Sequence, residues 1–321
     1  MAEVEVTVEG RRLTLRNLDK VFYPDSGFSK GEMVDYYARV APVMVPHLAG
    51  RGVTLKRFPD GVEGSSFFEK RCPTHRPEWV PTVRGPGPSR SRDSRSKRGS
   101  GSSSEQGSGR AEDGVDYCSL DSEAALVWAA NLAALEIHAP MALGSDLESP
   151  TMCVFDLDPG PRTDITHCAR VALDVRELLG RFDLSAYPKT SGSKGMQVYV
   201  PLNTPHTHDH CSSFALAVAQ VLEQQRPDAV TSVMRKDARG GKVFVDWSQN
   251  SRHKTTVAPY SLRARAQPTV STPLSWDEVG SAADGTVLSY EAGQVLERVD
   301  AEGDLFAETL RLHQELPASA T

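Results

Sequence analysis

Met152-Cys153-Val154-Phe155-Asp156-Leu157-Asp158, followed by Pro159-Gly160, is an apolar run broken by two acids one residue apart. In an extended strand residues i and i+2 share a face, so both carboxylates emerge together. Cys153, Phe155 and Leu157 alternate onto the opposite face and can anchor the strand in a core. Carboxylates at that spacing repel unless positive charge lies between them, and a divalent cation meets that need. An isolated Asp pair before Pro-Gly is more often a turn cap, so the reading needs support from elsewhere in the chain.

Two segments supply it. In Lys189-Thr190-Ser191-Gly192-Ser193-Lys194-Gly195-Met196-Gln197-Val198-Tyr199-Val200, small residues bracket a lysine just before a strand. Backbone N–H groups and one ammonium can converge there on an anion. The spacing is not that of a P-loop, and taken alone such a turn is a weak signal. In Gly240-Gly241-Lys242-Val243-Phe244-Val245-Asp246-Trp247-Ser248-Gln249-Asn250, alternation sends Val243 and Val245 one way and Lys242, Phe244 and Asp246 the other. A third carboxylate thus arrives at the end of another strand, as a two-metal phosphoryl-transfer site requires. Lys254, Arg263 and Arg265 follow, cations suited to triphosphate oxygens. Together these features indicate metal-assisted chemistry on a nucleotide.

A chain of 321 residues, 39% hydrophobic, can bury a real core. It has no apolar stretch near the roughly 20 residues of a membrane span and no secretory leader pattern at its start, so we expect a cytosolic protein with no membrane partner. Cys72, Cys118, Cys153, Cys168 and Cys211 are scattered and odd in number, which predicts free thiols. The formal charge of −6 argues against indiscriminate coating of nucleic acid. Residues 84–110 differ sharply. They lack Leu, Ile, Val, Met and aromatics, and seven cations against two acids give +5, leaving −11 elsewhere. We read a disordered basic insertion at about 84–112, carried by a hairpin whose strands are 79–83 and 115–119.

The remainder reads as mixed helix and strand. Ser29-Lys30-Gly31-Glu32 fits a capping box opening a helix through Met33, Tyr36, Tyr37 and Val40 that stops at Pro42. Asp121 is placed to cap a helix running through Leu126, Ala130, Ala133 and Ile137 to Pro140. Two more helices follow, through Ile165 to Leu178 and through Phe214 to Leu222, with strands at 53–58, 152–158, 196–200 and 242–246. Without a regular βαβα rhythm, the pattern favours an α+β class over a doubly wound sheet.

These residues resemble the polymerase domain of bacterial ligase D, within the archaeo-eukaryotic primase superfamily. The likeness runs from Leu15-Arg16-Asn17-Leu18-Asp19-Lys20 to about Leu305. It passes through Lys56-Arg57-Phe58-Pro59-Asp60-Gly61, Phe67-Phe68-Glu69-Lys70, Ala134-Leu135-Glu136-Ile137-His138 and Phe155-Asp156-Leu157-Asp158-Pro159-Gly160. It continues through Thr190 to Gly195, Val245 to Asn250 and Ala258-Pro259-Tyr260-Ser261-Leu262-Arg263. The resemblance implies a primase-like α+β fold with mixed and antiparallel sheets around a central cleft. It implies one catalytic domain over 1–305, with 306–321 a helix end and tail.

It also implies roles. Asp156, Asp158 and Asp246 match the metal-binding catalytic acids for two Mn²⁺ or Mg²⁺ ions. Lys56, His138, Ser191, Lys194, Gln249, Arg263 and Arg265 match the nucleotide site. Asn17, Lys20 and Lys30 match a pocket for a DNA 5′-phosphate, and Phe67 and Phe68 match template contacts. The implied activity is template-dependent addition of NTP or dNTP to a primer 3′-hydroxyl at gaps or broken ends with a 5′-phosphate. Lacking a KxDG motif, the chain reads as a stand-alone polymerase working with Ku and a separate ligase. The alternatives are a non-catalytic end-binding scaffold and a metal-dependent nuclease.

Several readings carry blander rivals. Lys20 and Lys30 are equally readable as solvated charges, although Lys30 at a capped helix start can share an anion with helix-end N–H groups. Adjacent Phe67 and Phe68 in a strand should leave only one free to stack. His138 is read near a helix end. His206-Thr207-His208-Asp209-His210-Cys211 is read as a helix-entry loop, and neither it nor Cys72-Pro73-Thr74-His75 is assigned a metal. Gln197 stands where much of the family has histidine. Alternation turns it toward the site, where an amide can donate a hydrogen bond but carries no proton charge.

Overall fold

The computed structural model describes residues 3–87 and 114–318, so the basic insertion lies for the most part outside the described residues. Two sheets organise the chain. The first, in spatial order, joins Tyr187–Thr190, Met196–Pro201, Met152–Pro159, Val243–Asp246 and Val230–Thr231. All its pairs are antiparallel except the last, which is parallel. Cys153, Phe155, Leu157, Met196, Val198, Val200, Val243 and Val245 face one side and are buried with the helices Ile165–Gly180, His208–Gln225 and Trp276–Ala283. The period-2 alternation therefore leaves Asp156, Asp158, Gln197 and Asp246 on the other face.

The second sheet joins Thr255–Val257, Ala134–Pro140, Thr54–Arg57 and Phe67–Glu69, all antiparallel. Leu55, Leu135 and Ile137 face a separate core shared with the helices Lys30–Leu48, Glu123–Asn131 and Ala292–Glu302. Glu136 and His138 alternate to the opposite side. Between the two sheets lies a polar cleft of about 430 Å³ lined by His138 and Val257 from one wall and Asp156, Asp158 and Gln197 from the other. Mixed helices and largely antiparallel sheets make the fold α+β, and strands at 54–57, 152–159, 196–201 and 243–246 match the expected positions. The 82–85 and 115–118 strands pair antiparallel as the expected hairpin.

Four expectations need correction. The first helix does not stop at Pro42 but runs to Leu48 with Pro42 and Pro46 inside it. Both prolines lie on the exposed face, where their lost hydrogen bonds do not disturb the buried stripe of Met33, Tyr37, Val40 and Met44. The second helix is capped by Ser122, not Asp121, and ends at Asn131. Ala133 takes a positive φ, and Ala134–Pro140 becomes a strand, because pairing with Thr54–Arg57 outweighs the helical spacing of Ala130, Ala133 and Ile137. His138 is thus a strand residue. Cys72 and Cys118 form a disulfide across 46 residues, a separation with no local signature, and only Cys153, Cys168 and Cys211 are free thiols. Among the described residues no helix is long and apolar enough to cross a membrane.

Beyond Glu302 the chain turns through Ala307–Leu310 and packs back on the first sheet. Gln314 donates to Pro201 O at 2.8 Å, and Leu316 is buried in that sheet's core. His206 and His210 bond each other and this tail, and His208 is buried inside the helix, bonding Asn250 O and Leu147 O. These histidines secure chain packing, and the run expected as a helix-entry loop is the first turn of a helix from His208 onward, capped by Thr207.

Candidate active site

Asp246 is the residue directly opposite Asp156 in the antiparallel ladder. Asp158 follows two positions on, and one oxygen of each carboxylate lies within 4.8 Å of the others. Local bonds fix Asp246. Its Oδ1 accepts from Ser248 N at 3.0 Å and Ser248 Oγ at 2.6 Å, and its Oδ2 accepts from Gln249 Nε2 at 3.2 Å. These bonds cap the short turn Trp247–Asn250. Asn250 then clamps that turn to the Asp156 strand, accepting from Val154 N at 2.8 Å and donating to Val154 O at 2.8 Å.

The clustered acids destabilise one another. Burial first, then the charge of Asp158, raises the Asp156 carboxyl to about 7, with the Gln197 amide opposing the rise. Burial and Asp246 also raise Asp158, and Arg239 opposes them. Arg239 stacks on the Phe244 ring at 3.7 Å and reaches only to 4.0 Å from Asp158. Three oxygen donors crowded together with so little cationic compensation fit a hard divalent cation.

The opposite wall is built around a buried acid. Glu136, 2% exposed, accepts from Ala264 N at 3.0 Å and bonds His138 Nε2 at 3.0 Å. Lys56 Nζ is 3.6 Å and Arg263 Nε 3.4 Å from its Oε1. Burial alone raises such a carboxyl, but His138, Arg263 and the Ala264 N–H hold Glu136 down to about 2. Burial lowers His138, against the pull of Glu136. Glu136 thus holds Lys56, His138 and Arg263 together on one wall, with Lys56 and Arg263 carrying its positive charge.

Arg263 Nη1 also donates to Ser191 O at 2.7 Å, tying this wall to the Ser191–Gly195 turn. Within the turn, Ser191 Oγ accepts from Ser193 N at 3.3 Å and Gly195 N at 3.2 Å. Gly192 has φ +65°, and a Cβ there would lie 2.6 Å from Val270 C, so only glycine fits. Lys194 is exposed on the cleft wall, and Arg265 donates to Ser193 Oγ.

A second cavity of about 460 Å³ is lined by Arg12, Arg16, Asn17, Lys20, Lys30 and Arg57, and by no acid among the described residues, although Lys20 pairs with Asp60 at 2.6 Å, Arg16 with Glu3 at 2.9 Å and Arg57 with Glu69 at 3.0 Å. Lys30 Nζ donates to Arg16 O at 2.6 Å and Asn131 Oδ1 at 3.0 Å, and burial lowers its ammonium to about 8. The helix-end N–H groups do not join an anion site as expected. Lys30 N and Gly31 N donate to Lys20 O and Leu18 O, and Glu32 N donates to Ser29 Oγ. Any anion here meets side-chain cations instead. Phe67 and Phe68 are both exposed, 45% and 60%, correcting the expectation that one would be core. Arg57 lies over the Phe67 ring and Lys56 over the Phe68 ring, and Phe68 meets His138 edge-on at 5.8 Å.

Residues 29–306 match the family described as LigD, primase-polymerase domain. The chain belongs to the LigD primase-polymerase domain family. This LigD domain is 43% identical over 299 residues to the multifunctional non-homologous end joining protein LigD of Mycolicibacterium smegmatis, covering 92% of this chain and 36% of that protein. The Mycobacterium tuberculosis LigD is 43% identical over 317 residues, covering 96% of this chain and 38% of that protein. The chain therefore spans little more than a third of these relatives. A solved polymerase domain from Mycobacterium tuberculosis ligase D in complex with DNA superposes with a TM-score of 0.81 at 39% identity, covering 94% of this chain and 99% of that one.

In this LigD domain the cleft gathers Asp156, Asp158, His138, Ser191, Lys194, Gln249, Arg263 and Arg265, with Asp246 beside the acid pair and Lys56 behind Glu136. Lys254 lies away from it, in a small pocket with Pro140 and His253. Sequence reasoning missed Glu136 and Arg239 as parts of the site. Glu136 carried a signal, since it shares a face with His138 once 134–140 is read as strand. Arg239 had none, because its place depends on a loop stacking on Phe244. Another cavity, about 540 Å³, is an apolar groove between the helices Ile165–Gly180 and His208–Gln225 and carries no acid cluster.

Proposed function

We propose that this LigD domain is a template-directed nucleotidyltransferase that adds nucleotides to a primer 3′-hydroxyl at DNA gaps or broken ends. The observation that supports it most is the register of Asp246 opposite Asp156, which converges three acids on one wall of a cleft whose other wall is cationic. Residues 1–305 act as one catalytic domain, with the segment through Leu316 packed against it. Asp156, Asp158 and Asp246 would hold two Mg²⁺ or Mn²⁺ ions, and the chemistry supplied there would be activation of the attacking hydroxyl and neutralisation of charge at the α-phosphate and the leaving pyrophosphate.

The chain's own side chains position the reactants. Lys194, Arg263 and Arg265 supply donors for triphosphate oxygens, with Ser191 setting the shape of the turn that presents Lys194. Lys56 and His138, fixed by Glu136, extend this cationic wall toward Phe68, where a template base can stack. Gln249 orients the Asp246 carboxylate. Asn17, Lys20 and Lys30 line the cavity that takes a downstream 5′-phosphate. Because relatives carry this domain within end-joining proteins, Ku and a DNA ligase are its natural partners in repair.

Extension of a labelled primer on a gapped duplex tests the reading. Ribo- and deoxynucleotides are compared, with and without 5′-phosphate, in Mg²⁺ and Mn²⁺. Metal-dependent, template-matched addition stimulated by the 5′-phosphate is the expected result. End binding without addition under all conditions would reduce the protein to a scaffold, and strand cleavage would make it a nuclease.

A further inference from the structure

Gln197 lies directly opposite Asp156 in the ladder between Met152–Pro159 and Met196–Pro201, and its Nε2 donates to Asp156 Oδ1 at 3.1 Å. The other end of the amide is also engaged. Tyr199 Oη is 3.1 Å from Gln197 Oε1 and 2.8 Å from Thr256 Oγ1, and all three residues are buried. An amide viewed alone can be turned either way, but its neighbours fix this one. A carboxylate only accepts, so the NH₂ end faces Asp156, and the carbonyl end needs a donor, which Tyr199 provides. Tyr199 has one proton and two acceptors in reach, Thr256 Oγ1 at 2.8 Å and Gln197 Oε1 at 3.1 Å, so a single hydroxyl holds both side chains.

Thr256 belongs to the other sheet, on the strand Thr255–Val257 whose Val257 pairs with His138. The chain Thr256–Tyr199–Gln197–Asp156 thus crosses the floor of the cleft from one wall to the other. The Tyr199 ring is held independently, by edge contact with Phe306 at 5.4 Å. Its hydroxyl is free to serve the network without carrying the packing.

We propose that Tyr199 is a positioning residue for the metal-binding acids, fixing the Gln197 amide so that it engages one oxygen of Asp156 and leaves the other directed to the cation. The proposal rests on the reading of Asp156, Asp158 and Asp246 as a cation site. Partners that orient a ligating carboxylate commonly tune metal affinity, and here the tuning reaches across to the nucleotide wall through Thr256.

Mn²⁺ binding to the full chain, followed by electron paramagnetic resonance without nucleotide or DNA, is the test. Tyr199→Phe keeps the ring and removes the hydroxyl, and it should weaken Mn²⁺ binding roughly 3- to 10-fold, the loss of one hydrogen bond's worth of orientation. Thr256→Val should act in the same direction. In a Gln197→Ala background, Tyr199→Phe should have no further effect, because its only route to Asp156 is gone. Full additivity of the two changes, or wild-type Mn²⁺ affinity in Tyr199→Phe, overturns the proposal. Failure of wild type itself to bind Mn²⁺, or binding unaffected by Asp246→Ala, would instead overturn the cation site beneath it.

Discussion

Asp156 faces Asp246 across one rung of an antiparallel ladder, and the same residue faces Gln197 across the rung on its other side. The central strand of the sheet thus presents its acid between a second acid and an amide. Such a cluster opposes folding when no cation is present, because burial and Asp158 both disfavour its charge. Asp156→Asn should therefore raise the thermal midpoint of the metal-free protein, by about 1 kcal/mol in stability, the size typical of relieving such a site. The same variant should lose the stabilisation that Mn²⁺ gives wild type, and primer extension should fall by orders of magnitude. Calorimetric scans with and without Mn²⁺ read both effects.

The Glu136 cluster predicts acid lability. Its carboxyl is held at about 2, against an ordinary value near 4.5. A lowered folded value means that the stabilisation is present above the ordinary value and is lost as pH falls through 4 toward 2. Glu136→Gln leaves Lys56 and Arg263 without their buried counter-charge, and a cost of about 3 kcal/mol is expected. Urea unfolding at pH 7 and pH 3 checks this: the variant's deficit should be largest at pH 7 and reduced at pH 3, because the loss is complete only as pH falls through about 2.

Lys30 predicts a pH profile of opposite sense. Burial lowers its ammonium to about 8, so the free protein loses that charge as pH rises through 8. Affinity for a gapped duplex bearing a 5′-phosphate should fall between pH 7 and pH 9, while affinity for the same duplex without the phosphate changes little. For folding the sign is reversed: the charged form is penalised by burial, so this residue's unfavourable contribution is relieved above pH 8. Fluorescence anisotropy across that range, with Lys20→Ala as a second loss of cavity charge, measures the difference.

The two exposed phenylalanines make a separable prediction. Phe68→Ala should weaken binding of template-containing DNA by about 1–3 kcal/mol, the value of one stacked base. Its melting temperature should be unchanged, since the ring is 60% exposed. A drop in stability without a loss of affinity would mark Phe68 as a packing residue.

Gln197→His replaces a neutral donor with a group that can carry a proton beside Asp156. Metal preference between Mg²⁺ and Mn²⁺ should shift, with activity retained. Equal steady-state constants for both variants in both metals would remove Gln197 from the account.

How much of this was legible in the sequence depended on whether strand or helix logic governed a segment. The acid pair, the third acid and the lysine turn were readable because alternation in short apolar strands leaves few choices of face. The Glu136 face was not, since Ala130, Ala133 and Ile137 imitate helical spacing and only pairing with Thr54–Arg57 converts the segment to strand. The helix through Pro42 was hidden for a related reason: tertiary burial of one stripe outweighs a local breaker on the other. The Cys72–Cys118 disulfide depends on a chain crossing, where Cys72 N donates to Asp116 O, that no spacing announces.

The most direct measurement is Mn²⁺-dependent nucleoside triphosphate binding to wild type and Asp246→Asn, followed by titration calorimetry. Wild type should bind the nucleotide at least tenfold more tightly with Mn²⁺ than without, and Asp246→Asn should lose that enhancement while retaining the metal-free affinity set by the cationic wall. Nucleotide binding that is indifferent to Mn²⁺ in wild type, or equally enhanced in Asp246→Asn, would contradict a shared cation site in this cleft.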